Sequence, residues 1–586
     1  MQGLSHSIKI AFLLIIIGLI SCVKQRDLSQ NTVIFHMMTI PESMHPINKS
    51  SAPKEIIKHY TQKTIHITDV RTFKQIPILS KTLPDTIGDL KTYTFELKEK
   101  IKWADKTPLM GEDVIFSVKM LLSPLTNNPG QKSIYSSVFE DVWVDESNPR
   151  KVYYSSKEIN YGAKTIFQGI PILQKSFWDK EGVVENIRIK EIENFNFSKE
   201  QKRWFESFNG HEYSYNPSNI VGLGAYQVSE YKLGSHITLV KKKDHWTEGD
   251  TCIYNLAYPD KIIFKEISDI TAIKLALMNQ RLDCVYKIGP KAISKLKKKD
   301  YFNNNYYTVN KNVFAYYYLG FNMKPDLSKY KPFFVNQKVR RAIAHAVPLD
   351  EIIEIVYKGY ASKQASNTNP FNYRYNKELN PLEYDLEKAK ALLKEAGWED
   401  TDGDHILDKV IDGVKIKFEF KYSYMTGSTA ARDGFLMVKE SLKKIGVIAN
   451  GNPMEFAVFY NRAQKHDFEL MAGAWGSGSS YSNPNQLWGV ENWENQGYNF
   501  TGFGDASTDS LIKTINNNIN EEKHVKAHKA FQKRLYDDQP YVFLVSPMKS
   551  VVIHNRFENP VGYMEDPSVL INTLKLKEEY KTKLKN

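Results

Sequence analysis

The spacing of apolar residues predicts a mixture of strands and helices along most of the chain. A β-branched and apolar run predicts a first strand over 32–38. Alternating or short apolar runs predict further strands over 93–97, 226–231, 235–240 and 261–265. Apolar residues three and four positions apart predict helices over 111–122, 270–278, 339–346, 351–357 and 433–445. The mixture indicates an α/β protein.

One segment, 470–490, contains no charged residue, although 25% of the whole chain is charged. Its start predicts a short buried strand, and the Gly, Ser, Asn and Pro residues over 476–484 predict a loop. Trp475, Tyr481 and Trp488 lie among these small residues. Small residues let a ligand approach the backbone, and rigid aromatic rings supply contact area at low entropy cost. We interpret the segment as a binding loop; the alternative is an exposed linker.

Size and charge narrow the class of protein. The 586 residues exceed one typical domain, so two or three domains are expected. The net charge of +12 also occurs in proteins that bind nucleic acid or anionic membranes. However, nearly as many acids are interspersed, and the lysine runs at 241–243 and 295–299 are short and lack aromatic residues. They favour a solvated surface, and we predict no nucleic-acid partner.

Cysteine spacing argues against a zinc or dithiol site. The three cysteines are Cys22, Cys252 and Cys284, and no two of them form a C-x-x-C pair. Cys252 and Cys284 either pair in an oxidising compartment or remain two separate buried thiols. Both alternatives are compatible with the sequence.

Two other patterns suggest a cofactor or a metal, and each fails at a required position. The G-x-G at 222–224 lacks the third glycine of a dinucleotide loop and precedes predicted strands. Three aspartates stand at calcium-loop positions one, three and five: Asp400, Asp402 and Asp404. His405 and Ile411 replace the glycine and the bidentate glutamate of such a loop. We predict an ordinary loop, with weak calcium binding as the alternative, and no cofactor or metal site.

The N-terminus predicts export. Lys9 precedes an apolar run over 10–20 that is too short to span a bilayer comfortably, and Ser21 and Cys22 follow. Residues 19–22, Leu-Ile-Ser-Cys, resemble a bacterial lipoprotein box. This resemblance implies that a signal peptide over 1–21 is cleaved and that lipid is attached to Cys22. Residues 22–31 would then be a tether that anchors the soluble part of the protein to a membrane. An ordinary signal peptide or an anchor helix is the alternative.

The residues 93–124, YTFELKEKIKWADKTPLMGEDVIFSVKMLLSP, carry a longer resemblance. They are similar to the signature of family 5 of the bacterial extracellular solute-binding proteins, the dipeptide and oligopeptide group. Matches include Trp103, Asp105, Pro108 and Asp113, whereas Lys106 stands where the family has glycine in a turn. Further blocks at 222–246, 316–361, 384–398, 498–509 and 521–542 resemble the family in the same order. The resemblance covers about residues 32–560.

The resemblance implies the two-lobed periplasmic-binding-protein fold, type II, an α/β fold with an extra inserted subdomain and two β-crossovers between the lobes. On this basis we expect lobe I over 32–266, with the insert at roughly 50–165. We expect lobe II over 267–505 and a return to lobe I over 506–586. Such proteins are monomeric binding modules that close on a solute and hand it to an ABC permease and its ATPase, without chemistry on the ligand. No catalytic motif appears in the sequence, and we predict that the protein is not an enzyme.

The family binding segment aligns with 475–484. Trp475, Tyr481 and Pro484 match the family Trp, Tyr and Pro, but Ser480 replaces the aspartate that holds the peptide's α-ammonium group, and Asn483 replaces the acid before proline. Glu491 or Glu494 could substitute if the loop folds back. The residues that we expect to contact the ligand are Trp475, Gly476, Ser477, Ser480, Tyr481 and Asn483, with Met44 and His45 from the loop after the first strand.

Three functions fit the sequence. The first is a lipid-anchored receptor of a peptide importer, on the periplasmic or extracellular face. The second is the same fold with a non-peptide solute, either a metal chelate or an oligosaccharide stacked on Trp475, Trp488 or Trp493. The third is a lipoprotein enzyme or adhesin. A buried ammonium without a carboxylate is costly, so the missing aspartate argues against recognition of a free amine by this segment.

Overall fold

The computed structural model describes residues 26–48, 51–476, 478–481 and 483–581. Two lobes and an inserted subdomain each have their own sheet. Within the described ranges, no helix is long and apolar enough to cross a membrane. Both Cys252 and Cys284 are free thiols, and Cys284 is fully buried. Of the two alternatives for this pair, separate thiols are therefore observed.

The sheet of lobe I combines strands from both ends of the described chain. Of its eight described strands, seven follow in the order Tyr306–Asn312, Val545–His554, Cys284–Ile288, Thr32–Met37, Lys261–Glu266, His236–Lys241 and Tyr226–Lys232. The remaining strand, Ala361–Lys363, pairs with Val545–His554.

The first strand lies inside this sheet, with a neighbouring strand on each side. Thr32–Met37 pairs in parallel with Lys261–Glu266 on one side and with Cys284–Ile288 on the other. Phe35 and Met37 are buried. Phe35 packs in one hydrophobic core and Ile34 packs against another, so both faces of the strand are covered, as is usual for a parallel strand. The predicted first strand is confirmed.

The inserted subdomain has a four-stranded sheet within the described residues, in the order Asp85–Ile87, Thr92–Glu96, Lys151–Ser156 and Phe139–Val144. Helix Gly111–Leu122 packs beside this sheet, and its apolar residues join one core. That core also contains Phe205 and Phe208. The insert therefore extends beyond the predicted 50–165, because the helix Lys199–Phe208 buries its aromatic face there.

Asp113 joins the turn of the 93–124 block to the start of its helix by hydrogen bonds. Its Oδ2 accepts hydrogen bonds from the Trp103 Nε1 and from the Met110 backbone N–H, both at 3.1 Å. Its Oδ1 accepts one from the Lys175 N–H at 2.8 Å. Lys106, which replaces the family glycine, has a φ of 72° in the intervening turn. A residue other than glycine is strained in this left-handed region.

The five described strands of lobe II follow in the order Ile448–Met454, Glu419–Met425, Leu470–Gly476, Ala315–Phe321 and Tyr541–Phe543. Helices Gln337–His345, Leu386–Glu395 and Thr429–Lys443 bury their apolar faces in the same core. The amphipathic spacing that predicts helices over 339–346 and 433–445 therefore corresponds to the observed buried faces of two of them.

The chain crosses between the lobes at two neighbouring places, and these differ from the predicted boundaries at 267 and 506. The first crossing joins Tyr306–Asn312 to Ala315–Phe321, and the second joins Tyr541–Phe543 to Val545–His554. Here the Leu544 N–H donates to the Tyr317 carbonyl oxygen at 2.9 Å. The strand Cys284–Ile288 stays in lobe I because it pairs beside the first strand, and residues 506–538 stay with lobe II because Phe531 and Leu535 pack against Trp488 and Tyr541.

The helices have the following bounds: Ala52–Thr61, Gly111–Leu122, Pro129–Ser136, Tyr161–Thr165, Lys175–Trp178, Lys199–Phe208, Glu212–Tyr215, Ile270–Met278, Pro290–Leu296, Asp300–Asn305, Gln337–His345, Leu349–Ile355, Leu386–Glu395, Thr429–Lys443, Phe456–Gln464, Asn485–Trp488, Glu491–Glu494, Ala506–Asn517, Glu521–Asp538 and Glu578–Lys581. Short 3₁₀ helices span Ile166–Gln168, Ile189–Asn194, Pro217–Asn219 and Ile571–Thr573. Two-stranded ladders join His66–Thr68 to Gln75–Pro77, Asp408–Ile411 to Val414–Lys417, and Phe557–Glu558 to Lys575–Leu576.

Candidate functional site

A cavity of about 580 Å³ lies in lobe II beside its contact with the inserted subdomain. The described residues that line it are Tyr316, Asn367, Thr368, Asn369, Asn372, Arg374, Trp475, Gly476, Gly478, Ser480, Tyr481, Asn483, Pro484, Gln486, Leu487, Trp488, Tyr498 and His528. The uncharged segment that begins at residue 470 thus supplies half of the wall. This volume is within the range of small-ligand sites.

The strand Leu470–Gly476 positions Trp475 at the cavity. It pairs in antiparallel fashion with Ala315–Phe321, so that Trp475 stands opposite Tyr316. The Trp475 Nε1 donates to the Tyr541 hydroxyl at 3.3 Å, and its ring lies 5.5 Å from that of Phe500. The indole is therefore fixed from behind while remaining half-buried at the cavity wall.

The loop after this strand places Ser480, Tyr481 and Asn483, three of the residues expected to contact a ligand, in the cavity wall. The Tyr481 hydroxyl donates to the Asn516 Oδ1, and the Asn516 Nδ2 donates in turn to the Asn483 Oδ1 at 3.0 Å. The Tyr481 ring meets the ring of Tyr161 edge to face, with centroids 5.1 Å apart. Tyr161 belongs to the inserted subdomain, so the loop also forms part of the contact between the lobes.

Residues within 367–374 form another part of the cavity wall, and none of them is among the binding residues predicted from the sequence. Asn367, Asn369 and Asn372 bring neutral amide groups to the cavity. The Asn369 Nδ2 donates to the Ser546 Oγ at 2.9 Å, and the Asn372 Nδ2 donates to the Ser479 carbonyl oxygen at 3.2 Å. The available signal is compositional: this stretch is also rich in amides and aromatic residues and, apart from Arg374, uncharged.

Arg374 is the only charged side chain among the described lining residues. Apart from the tyrosines, the other titratable lining residue is His528. Burial holds the pKa of His528 well below its ordinary value, and repulsion from His524 and Arg374 lowers it further, so His528 is neutral near pH 7. Nearby, Glu521 accepts hydrogen bonds from the hydroxyls of Tyr161 and Tyr373 at 2.6 and 2.7 Å. Burial alone raises the pKa of Glu521, but these bonds and Arg374 lower it overall.

Met44 and His45 do not line this cavity, which corrects the prediction for both residues. Met44 is buried in the core of lobe I. The His45 Nε2 donates to the Phe208 carbonyl oxygen at 2.9 Å, and its ring packs against Phe208 and Trp178. Burial lowers the pKa of His45 to about 3, so it is a neutral core residue. Ser477 and Cys22 lie outside the described residues.

The remaining candidate groups near the loop are engaged elsewhere. Trp488 is fully buried, and the Trp493 ring rests on His466 with centroids 3.3 Å apart, away from the cavity lining. Trp488 therefore offers no open face for a stacked sugar, and Trp493 is not at the cavity. Glu491 accepts from the Asn485 Nδ2 at 2.6 Å, and neither Glu491 nor Glu494 lines the cavity. The predicted substitutes for the missing aspartate are thus not at the site.

The aspartate-rich stretch from 400 forms a loop, as predicted. Carboxylate oxygens of Asp400, Asp402 and Asp408 lie within 4.8 Å of one another. Lys415 pairs with Asp402 at 2.9 Å and with Asp408 at 3.2 Å, and Asp400 accepts from two backbone N–H groups of the loop. Lys415 thus offsets part of the charge of Asp402 and Asp408.

Comparison with known proteins identifies the class to which the fold and cavity belong. The sequence model described as bacterial extracellular solute-binding proteins, family 5 Middle, matches residues 74–497. The oligopeptide-binding protein AppA of Bacillus subtilis strain 168 is 26% identical over 495 residues, which cover 83% of this chain and 81% of AppA.

Solved structures extend the likeness to nearly the whole chain. AppA from Bacillus subtilis in complex with a nonapeptide has a TM-score of 0.65 at 21% identity and covers 93% of this chain and 99% of its own. NikZ from Campylobacter jejuni in complex with Ni(L-His) also has a TM-score of 0.65, at 20% identity, with 93% and 99% coverage. The chain belongs to family 5 of the bacterial extracellular solute-binding proteins, which are transport binding proteins and not enzymes. Its fold is the two-lobed type II fold.

Proposed function

We propose that this protein captures a peptide as the substrate-binding component of an ABC importer and delivers it to the permease and ATPase of that importer. The observation that carries the proposal is the cavity of about 580 Å³, at the family position of the binding segment, with a wall of aromatic rings and neutral amides. Amide side chains both donate and accept hydrogen bonds, as a peptide backbone requires. Trp475 and Tyr481 supply apolar area for peptide side chains. The oligopeptide-binding function of AppA supports the same ligand class.

The ligand that co-purifies with the protein tests this proposal. The protein is purified without unfolding, then denatured, and the released small molecules are identified by mass spectrometry. We expect peptides in about one copy per protein. Recovery of a sugar or a metal chelate, with no peptide, would overturn the peptide assignment. The protein would then be assigned to the binding of that solute.

We further propose that the protein acts as a monomer tethered to a membrane by lipid on Cys22, on the periplasmic or extracellular side. Support comes from the Leu-Ile-Ser-Cys pattern at 19–22 and from the polar residues that follow it before the first strand begins at Thr32. In this arrangement residues 22–31 are the tether. Cys22→Ser is expected to move the protein from the membrane fraction to the soluble fraction. A wild-type protein that is already soluble and carries no lipid would contradict the anchor.

A further inference from the structure

Arg374 is a buried cation whose hydrogen-bonding capacity is largely unused. Arg374 is 6% exposed to solvent and lines the cavity. One Nη donates to the Ser479 carbonyl oxygen at 3.4 Å and the other to the Tyr161 hydroxyl at 3.2 Å. The Nε is buried and has no hydrogen-bond partner among the described residues. A guanidinium has five N–H donors, and both bonds are at or beyond the long end of the usual range.

No described carboxylate makes an ion pair with Arg374. Glu521, the acid that influences this cluster, accepts hydrogen bonds from the hydroxyls of Tyr161 and Tyr373, and the Tyr161 hydroxyl accepts in turn from Arg374. The faces of the same two rings lie 5.7 and 4.5 Å from the guanidinium carbon. These contacts hold the guanidinium in place without neutralising it at close range. A buried charge without a paired counter-charge is costly, so an anionic partner is favoured.

The rest of the described wall offers no carboxylate that could pair with a cation. Among the described lining residues there is no aspartate or glutamate, and Ser480 stands where the family alignment has the acid for an ammonium group. Glu565 contacts the loop by accepting a hydrogen bond from the Ser479 N–H, but it does not line the cavity. The cavity therefore presents one positive charge among neutral amides and aromatic rings.

We propose that the cavity selects ligands by an anionic group, a carboxylate bound at Arg374, and does not require a free ammonium group. This inference rests on the proposed function, so the ligand is a peptide that carries a carboxylate at its C-terminus or on an acidic side chain. A carboxylate matches the forked donors of a guanidinium in charge and geometry. The charge preference would thus be opposite to that of the ammonium-binding segment in the family alignment.

Capture from peptide pools tests the inference. A protein digest is divided into three parts: untreated, methyl-esterified at all carboxyl groups, and N-acetylated. The ligand-free full chain is incubated with each pool, and retained peptides are quantified by mass spectrometry after filtration. We expect about tenfold or greater preference for untreated over esterified peptides and no loss on N-acetylation. Synthetic versions of a captured peptide, amidated at the C-terminus or with Asp and Glu replaced by Asn and Gln, identify which carboxylate is bound.

Three variants assign the preference to Arg374. Arg374→Gln should retain the fold and lose the preference to within about twofold, whereas Arg374→Lys should retain part of it because the charge remains. Arg432→Gln removes a charge from an exposed helix position and should behave as wild type. Equal capture of esterified peptides by the wild type, or an unchanged preference in a folded Arg374→Gln, would overturn the inference alone. Capture from no pool would overturn the proposed peptide function together with it.

Discussion

Among single residues, Trp475 is an aromatic side chain that lines the cavity and is held in place from behind. It is fixed by Tyr541 and Phe500 behind it and lines the cavity in front. We expect Trp475→Ala to weaken binding of the co-purified ligand about tenfold or more, because truncating a rigid, well-supported aromatic anchor removes contact area at the centre of a site. Isothermal titration calorimetry with the identified ligand measures the change.

Trp493→Ala is a suitable control for this substitution. Trp493 is also a half-buried indole in lobe II, but it stacks on His466 and does not line the cavity. The control should lower the melting temperature without changing the affinity. If Trp493→Ala weakens binding as much as Trp475→Ala does, the effect reflects the stability of lobe II and not contact with the ligand.

At the scale of elements, a buried ion pair joins the start of the first strand to the strand Val545–His554 and the turn after it. Asp283 accepts from the Arg556 Nε at 2.8 Å and from the Arg26 Nη2 at 2.6 Å, and it also binds the Ile34 N–H. Arg556 donates further to the Leu28, Gln30 and Thr32 carbonyl oxygens. Burial alone raises the pKa of Asp283, but the two guanidinium groups lower it to about 2.

This cluster predicts a pH-dependent contribution to stability. Because the pKa of Asp283 is lower in the folded chain than the ordinary value of 3.8, its contribution is complete above about pH 4 and is lost as the pH falls through 2. The shift corresponds to about 2 kcal/mol. Asp283→Asn should lower the free energy of unfolding by about 3–5 kcal/mol at pH 7, because it leaves buried guanidinium groups unpaired. The difference from wild type should shrink between pH 4 and pH 2.

Urea unfolding of both proteins at pH 7, 4, 3 and 2 measures these differences. Asp350→Asn is the matched control, since Asp350 forms an exposed pair with Lys363 and should change stability much less. A difference between wild type and Asp283→Asn that stays constant from pH 7 to pH 2 would show that the carboxylate charge does not stabilise the fold.

At the scale of the whole molecule, contacts between the inserted subdomain and lobe II hold the lobes together beside the cavity. The Tyr161 ring stacks on His524 with centroids 3.5 Å apart, and its hydroxyl donates to Glu521 and accepts from Arg374. The backbone passes between the lobes at the neighbouring crossings near residues 313 and 544, and the short strand Ala361–Lys363 also pairs there with Val545–His554. Closure about these crossings is therefore expected to depend on the Tyr161 contacts.

Tyr161→Phe should weaken ligand binding about threefold to tenfold by destabilising the closed arrangement, since it removes hydrogen bonds that link the two lobes. Tyr373→Phe removes a hydroxyl bond to the same Glu521 carboxylate, but within lobe II, and should leave the affinity nearly unchanged. Calorimetry gives the affinities, and small-angle X-ray scattering compares the radius of gyration with and without ligand. Equal effects of the two substitutions would argue against a role of Tyr161 in closure.

Local patterns in the sequence predict most of the elements and part of the site. The runs at 32–38, 111–122 and 270–278 correspond to the observed strand and helices within one residue. This agreement is possible because periodicity is local: the side chains of a strand or helix reveal their buried face within a few residues. The aromatic, uncharged character of 470–490 likewise marked one cavity wall, and the alignment showed that Ser480 replaces an acid.

Which lobe receives each element, and which distant residues meet, follows from the folded arrangement of the whole chain. The strand Cys284–Ile288 pairs with the first strand on one side and with Val545–His554 on the other. Each partner lies about 250 residues away along the chain, and local spacing contains no information about either pairing. The same holds for Asn369 and Arg374 in the cavity, and for His45 in a core. Whether a polar side chain faces a ligand or a core depends on everything packed around it, and packing between residues far apart in the chain is set by the fold as a whole.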